Sequence, residues 1–460
     1  MRIPAQASSP RRLWRQVGAH PFAAVFVLAL AVRLVNVALL RGNEAFFADL
    51  DTVWYWAVGR ALASPEGFWP TLASITARMP LYPLLLAGIH SVFGDMPRAV
   101  ALVQAVIDAG SCTLIAALGA LVAPPVGLAA GVLAAFSPTL IVSSSQILTD
   151  TLFLFFFTAM LVAGAHLILR PSKGSAILAG LMGGLALATR PTIAALLAIA
   201  VPIVFAVAIV HRRGAGPALA AAMLFAVAAA APVAPLILRN VSDYRSFSLT
   251  SQTGDHLAYW IVPLVQQRAD GTAYQTTVER MEARYRQRLA QRGSSGETNP
   301  FRQAELKSEL AREEMARLPL AAYAKAWLEG MAVNLAAPAL AADPRVRALP
   351  RPSFYHTPGA SLWEKARAYL FADSGRYQLI LLVGLLATLP FLALDVIGFV
   401  MLARTLPWAA VLAGGVLAYF LLLNGPVAGA KYRLPMEPVL IVLAAMPVAW
   451  FVRRMNRRAT

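Results

Sequence analysis

The feature that most limits what this chain can fold into is a succession of uninterrupted apolar runs. Several are about 20 residues long, the length that crosses a ~30 Å hydrocarbon layer. Phe22 to Leu40 is one and Leu379 to Leu402 is another. A backbone inside lipid has no water to bond to, so such runs fold as helices whose hydrogen bonds close internally. Candidate spans fall at 22–40, 98–121, 126–142, 151–169, 174–189, 191–210, 217–238, 378–403, 407–424 and 435–452. Composition agrees. The chain is 58% hydrophobic and 14% charged over 460 residues, where soluble proteins average about 45–50% and about 25%. The expected fold class is an all-α polytopic membrane protein.

The net charge of +17 is not read as a nucleic-acid footprint, because no basic stripe forms a helix face. In a membrane protein, Arg and Lys mark cytoplasmic ends and contacts with anionic headgroups. Cys112 stands alone in an apolar run, which leaves neither an intrachain disulfide nor a cysteine metal site. The first run, Phe22 to Leu40, is span-length and has no small-residue cleavage pattern after it, so it reads as a membrane helix and not a cleaved signal.

Arg11, Arg12 and Arg15 precede the first span, and Arg453, Arg454, Arg457 and Arg458 follow the last. Both termini are therefore expected in the cytoplasm, together with the short basic loops at Arg170/Lys173 and His211-Arg212-Arg213. An even number of spans satisfies this. Leu81 to Phe93 would break the parity and is short for a crossing, so it reads as re-entrant or interfacial. Three segments then lie outside: the first outer loop 41–97, the long region 241–377, and the loop 425–434. The expected organisation is an N-terminal membrane module 1–240 carrying the first outer loop, a helical outer region 241–377, and C-terminal membrane helices 378–460. Within the outer region, 279–292 and 301–317 read as a solvated helical hairpin, with acceptor recognition as the sharper alternative. No internal repeat is present.

An ionisable residue in or beside a membrane is costly and is a functional hypothesis by default. On the outer side these are Asp49 and Asp51 in FFADLDTVWYWAVGRAL, Arg78 in RMPLYP, Asp150 closing SSSQILTD, Arg190 in GLALATRPT, and Lys431 and Arg433 in GAKYRLPMEP. Together they offer a base for a hydroxyl and a cradle for a phosphate. Plainer roles stand beside this reading. Arg190 and Lys431 could end helices, Asp150 could cap one, and Asp49 and Asp51 could be ordinary loop acids. Trp54, Tyr55 and Trp56 read better as an interfacial aromatic belt than as a sugar platform. Asp108, within a span, reads equally as a buried acid paired with a neighbour. The six histidines are dispersed, so no metal site is expected.

The order of these motifs (DTVWYWAVGRAL, RMPLYPLLLAGI, SPTLIVSSSQILTDTLF, GLALATRP, KYRLPMEPVL) resembles the bacterial glycosyltransferases of the GT-C fold. Within these it is similar to the branch holding protein O-mannosyltransferases and aminoarabinose transferases. The resemblance covers about 1–200 and, locally, 425–440. It implies a GT-C-like bundle of about 10–13 transmembrane helices with an outer-face loop region. It also implies an enzyme that moves a sugar from a polyprenyl phosphate to a hydroxyl, with inversion, at the periplasmic face of the bacterial inner membrane. Asp51 would be the general base, with Tyr55 completing a D-x-x-x-Y pattern, Asp49 the backup base and Asp150 the second acid. Arg78, Arg190, Lys431, Arg433, Tyr55 and Tyr82 would bind substrate. Implied partners are the lipid-linked donor, membrane lipids and a glycolipid, glycan or protein acceptor; no cofactor is implied. The alternatives are a lipid-linked-sugar flippase, an O-antigen polymerase or ligase, and a non-catalytic scaffold. A flippase would need polar residues deep in several spans, where only Asp108, Asp395 and Asn36 stand out.

Overall fold

The computed structural model describes residues 20–459 except 48–49, 212–213, 294–295, 351–352, 355, 360 and 373–374. Arg11, Arg12, Arg15, Asp49, Arg212 and Arg213 therefore lie outside the described residues. Among the described residues there are helices and turns and no strand, so the all-α fold class is observed.

The first half of the chain runs α1 (Pro21–Leu39), α2 (Leu50–Ala63), α3 (Phe68–Ser74), α4 (Leu81–Phe93), α5 (Pro97–Val122), α6 (Pro124–Ala135), α7 (Pro138–Ser144), α8 (Asp150–Leu169), α9 (Lys173–Thr189), α10 (Ala194–Val210), α11 (Ala215–Ala230) and α12 (Ala234–Tyr244). The stretch 262–370 carries α13 (Val262–Asp270), α14 (Tyr274–Gln291), α15 (Pro300–Met315), α16 (Leu320–Ala336) and α17 (Leu362–Leu370). The chain closes with α18 (Arg376–Thr405), α19 (Pro407–Asn424), a 3₁₀ segment (Ala430–Met436) and α20 (Glu437–Ala459).

Seven of these helices are long and apolar enough to cross a membrane, and up to nine spans result if two bent pairs each count as one. The bent pairs are α6–α7, with a 52° break, and α11–α12, with a 62° break. They correspond to the stretches read as 126–142 and 217–238. Proline explains both. Pro138 and Pro232 cannot donate to the preceding turn and clash with it, so the helix stops and restarts at an angle. α9, the fifth stretch, is a short apolar helix of 17 residues, and α4 is a 13-residue helix.

Proline also starts helices. Pro21, Pro97, Pro124 and Pro407 each occupy the first turn, where a missing N–H does no harm. α9 starts on a capping box between Ser172 and Ser175. It then approaches α11 closely enough that any side chain at Gly180 or Gly184 would run into the carbonyls of Phe225 and Ala229. Small residues at such contacts let two apolar helices pack backbone to backbone.

A fully buried ion pair ties α1 to α5. Arg33 Nε donates to Asp108 Oδ2 at 2.7 Å, and both residues are almost wholly enclosed. The same guanidinium donates to the carbonyls of Ala134 and Ala135 and to Cys112 Sγ. The Ala135 carbonyl has no backbone donor where α6 ends before Pro138, while Ala134 O also accepts from Ser137 N at 3.2 Å, so Arg33 caps the break. Asp108 is thus the paired acid of the plainer reading. Asn36 is likewise engaged, accepting from Arg345 Nη2 at 3.0 Å.

The hairpin expected at 279–292 and 301–317 forms as α14 and α15. Arg284 bridges Glu313 and Glu314, Arg288 reaches Glu313 at 3.1 Å, and Arg292 reaches Glu309 at 2.9 Å.

Candidate active site

Four chain segments meet where α2, α8, α9 and α10 begin or end. Asp51 lies in the first turn of α2. Arg78 lies in the turn before α4, and its Nη2 donates to Asp51 Oδ1 at 2.6 Å. The Arg78 turn is held from two sides. Arg239 on α12 donates to the carbonyls of Leu72 and Ile75 at 2.9 and 2.8 Å, and Ser251 N donates to Thr76 O at 2.9 Å.

Asp150 opens α8, and Arg190 sits in the extended break between α9 and α10. Arg190 Nη1 pairs with Asp150 Oδ1, and its guanidinium stands 5.6 Å from the centroid of the Phe153 ring. The two pairs differ in exposure. The Asp51 and Arg78 side chains are 40% and 25% exposed, whereas those of Asp150 and Arg190 are 8% and 19% exposed.

Tyr55, one turn after Asp51 on α2, lies between the pairs. It is buried and feels Arg78, Arg190, Asp51 and Asp150 electrostatically. Burial pushes its phenol up to about 12, against the pull of the two arginines. Tyr55 remains a neutral hydrogen-bonding group at any ordinary pH. Its ring packs edge-to-face on Tyr82, with centroids 5.2 Å apart.

Tyr82 lies behind it, fully buried, and donates to Gln104 Oε1 at 2.9 Å. The structure makes Tyr82 a support for Tyr55, and no opening reaches it. Gln104 in turn donates to the carbonyls of Ser144 and Gln146 at 3.1 and 2.7 Å. It thereby fixes the loop that delivers Asp150. A glutamine alone in an apolar span is the signal that the sequence carries for this contact.

Lys431 joins this group. It lines a narrow cleft with Asp150, Gln146, Ser143 and Thr139, under the 339–342 turn. Gln146 Nε2 donates across the cleft to Ala342 O at 2.7 Å. The loop carrying Lys431 is clamped by Asn334 on α16, which donates to Val427 O and accepts from Gly429 N. Arg433 goes elsewhere. It donates to Leu335 O at 2.7 Å, lies 2.9 Å from Glu437 Oε1, and faces a different cavity.

The structure therefore brings together Asp51, Arg78, Tyr55, Asp150, Arg190 and Lys431, and sets Tyr82 and Arg433 apart. Two carboxylates, two guanidiniums, an ammonium and a phenol in one neighbourhood can accept a proton and hold an anion.

Comparison with known sequences bears on four of these residues. Residues 77–236 match the sequence model of a family described as dolichyl-phosphate-mannose-protein mannosyltransferase. The matched segment contains Arg78, Tyr82, Asp150 and Arg190, and the resemblance read from the motifs is borne out over that stretch. Asp51, Tyr55, Lys431 and Arg433 lie outside it. No curated protein sequence matches the chain. Among solved structures, the chain is similar to the crystal structure of ArnT from Cupriavidus metallidurans bound to undecaprenyl phosphate. That match has 14% identity, covers 93% of this chain and 78% of that one, and has a TM-score of 0.38. The apo crystal structure of the same protein gives 15% identity, the same coverage and the same TM-score.

Proposed function

We propose that this protein is a membrane glycosyltransferase that moves a sugar from a polyprenyl-phosphate donor to a hydroxyl acceptor at the periplasmic face of a bacterial inner membrane. The observation that carries this reading is the pairing of two carboxylates with two arginines on either side of Tyr55. One whole pair and half of the other fall inside the matched mannosyltransferase segment.

The resting arrangement suggests how the chemistry is set up. Each arginine that would hold a phosphate is engaged by a carboxylate. A phosphate entering between Arg78 and Arg190 offers both guanidiniums a better bidentate partner. Arg78 then leaves Asp51, and the freed carboxylate is available as a base. The acceptor hydroxyl attacks C1 of the sugar from the face opposite the phosphate, so the configuration inverts. Asp51 takes the hydroxyl proton, the C1–O bond to phosphate breaks, and the lipid phosphate leaves as an anion held by Arg78 and Arg190. Charge grows on the leaving oxygen as the bond breaks, so these arginines act more strongly in the transition state than in the ground state. Lys431, lining the cleft of Asp150, is placed to add to this. Asp150 stays with Arg190 and orients it. Asp49, outside the described residues, is the reserve candidate for the base.

Purified protein assayed with a polyprenyl-phosphate sugar tests the reading. Asp51→Asn is expected to lower turnover by about 10²–10⁴-fold, the usual contribution of a general base, with donor binding retained. Full activity in Asp51→Asn, with loss in Asp49→Asn, moves the base to Asp49. Activity in both variants refutes a carboxylate base on this loop.

A further inference from the structure

On the far side of Thr139 and Ala339, which both line the Asp150–Lys431 cleft, lies a second cavity of about 180 Å³. It sits between the start of α7, the turn at 337–340, α18 and α20. Most of its wall is apolar. Phe136 and Phe391, on that wall, are 56% and 43% exposed on the outside of the bundle, so the cavity opens sideways, towards lipid.

Its polar end is Asp395, Arg433 and Glu437. These three are 7%, 8% and 3% exposed. Two carboxylates face one guanidinium, so with both ionised one negative charge has no counterpart. The guanidinium is only partly engaged: Nη1 donates to Leu335 O, while Nε lies 2.9 Å from Glu437 Oε1 but is buried without a hydrogen bond. Its remaining nitrogen is 3.9 Å from Asp395 Oδ2, too far for a hydrogen bond. Asp395 Oδ2 is buried and has no hydrogen-bond partner. A carboxylate oxygen left so is costly, and a structure that retains one is asking for a donor.

We infer that this cavity binds the ammonium group of a small amphiphile. A hydroxyl would meet the lone oxygen but leave the charge. A primary ammonium supplies both the donor and the missing positive charge, and the apolar walls take the attached chain. The sideways opening admits such a molecule from the bilayer. The inference rests on no part of the glycosyltransferase reading.

The test uses the full chain in neutral maltoside micelles and measures equilibrium binding of radiolabelled dodecylammonium. One saturable site per chain is expected, weakened at least tenfold by Asp395→Asn, which keeps the shape and removes the charge. Ala387→Phe, at a lipid-facing position on the cavity wall, is expected to weaken binding as much while leaving every charge in place. This variant decides the matter if Asp395→Asn does not fold. Unlabelled dodecanol and dodecyl sulfate should not compete. Absence of saturable binding, unchanged affinity in a folded variant, or competition by dodecanol equal to that by dodecylammonium overturns the inference. Two competitors name the source of the ammonium. Displacement by phosphatidylethanolamine in nanodiscs assigns it to a bilayer lipid, and displacement by sphingosine alone assigns it to a single-chain amine; displacement by glucosamine, which has no apolar chain, overturns the inference. Displacement by neither phosphatidylethanolamine nor sphingosine also overturns it.

Discussion

Asp51 and Asp150 each hold an arginine, yet substitutions at the two carry different information. The Asp51–Arg78 contact is partly solvated, and exposed ion pairs contribute only ~0–1 kcal/mol to stability. Asp51→Asn should therefore leave the fold intact, and its effect on rate can be read as chemistry. Asp150 and Arg190 are largely enclosed. Removing one partner of such a pair leaves a buried charge uncompensated, at about 3–5 kcal/mol. Asp150→Asn is expected to lower the unfolding midpoint as well as the activity, whereas Asp51→Asn lowers activity alone. Thermal unfolding followed by circular dichroism separates the two, and equal midpoints for both variants would contradict this assignment of burial. Most of these residues were legible in the sequence as charges beside spans. Which arginine meets which acid was not, because each pair joins positions 27 and 40 residues apart through loops of irregular shape. Arg433 and Tyr82 illustrate the limit. Their motifs suggested substrate contact, but a buried glutamate and a buried glutamine had prior claim on them.

Among the elements, the broken helix α6–α7 is the one whose geometry depends most on a single side chain. Arg33 closes the carbonyls at the break and pairs with Asp108. Arg33→Met should cost about 3–5 kcal/mol through the stranded aspartate. In many buried pairs, replacing both partners with apolar residues restores stability. Here the double variant Arg33→Met/Asp108→Leu should recover only part of it, since the Ala135 carbonyl stays open. Full recovery in a thermal melt would show that Arg33 acts only as a counter-ion. Seven of the ten expected spans are legible from the length of their apolar runs; two others are bent pairs and 174–189 is a helix of only 17 residues. The breaks were harder, because proline announces a bend without saying what satisfies the freed backbone, and a lone arginine in the first span was the overlooked clue.

The small helix α17 is docked by Lys365, which is buried, donates to Gln267 Oε1 at 3.0 Å, and lies over Phe354. Burial first, and nearby Arg268 second, push its ammonium down to about 8 from an ordinary 10.5. Below pH 8 the lysine is protonated in both folded and unfolded chains, and the penalty of burying its charge is constant. Between pH 8 and about 10.5 the unfolded chain keeps the proton that the folded chain has lost, so this residue favours folding more as pH rises. The midpoint of the wild type should therefore gain on that of Lys365→Met across that interval. A constant gap would show that the lysine titrates normally.

For the whole molecule, the central claim is that one face of a helical membrane bundle carries out sugar transfer. Orientation can be checked in cells by replacing Cys112 with Ala and placing new cysteines at exposed positions on opposite ends of the bundle. Trp363→Cys, in the outer region, should react with a membrane-impermeant maleimide on intact cells. Asn456→Cys, at the end of α20, should react only after the membrane is opened. The reverse pattern would turn the site towards the cytoplasm. The chemistry itself is tested most directly by mass spectrometry of envelope lipids and glycans from cells making the wild type, Asp51→Asn, or no protein. The account predicts an acceptor that is heavier by one sugar residue only with the wild type, and a polyprenyl-phosphate sugar that accumulates in the other two. Identical profiles in all three, or a sugar added equally well by Asp51→Asn, would contradict it.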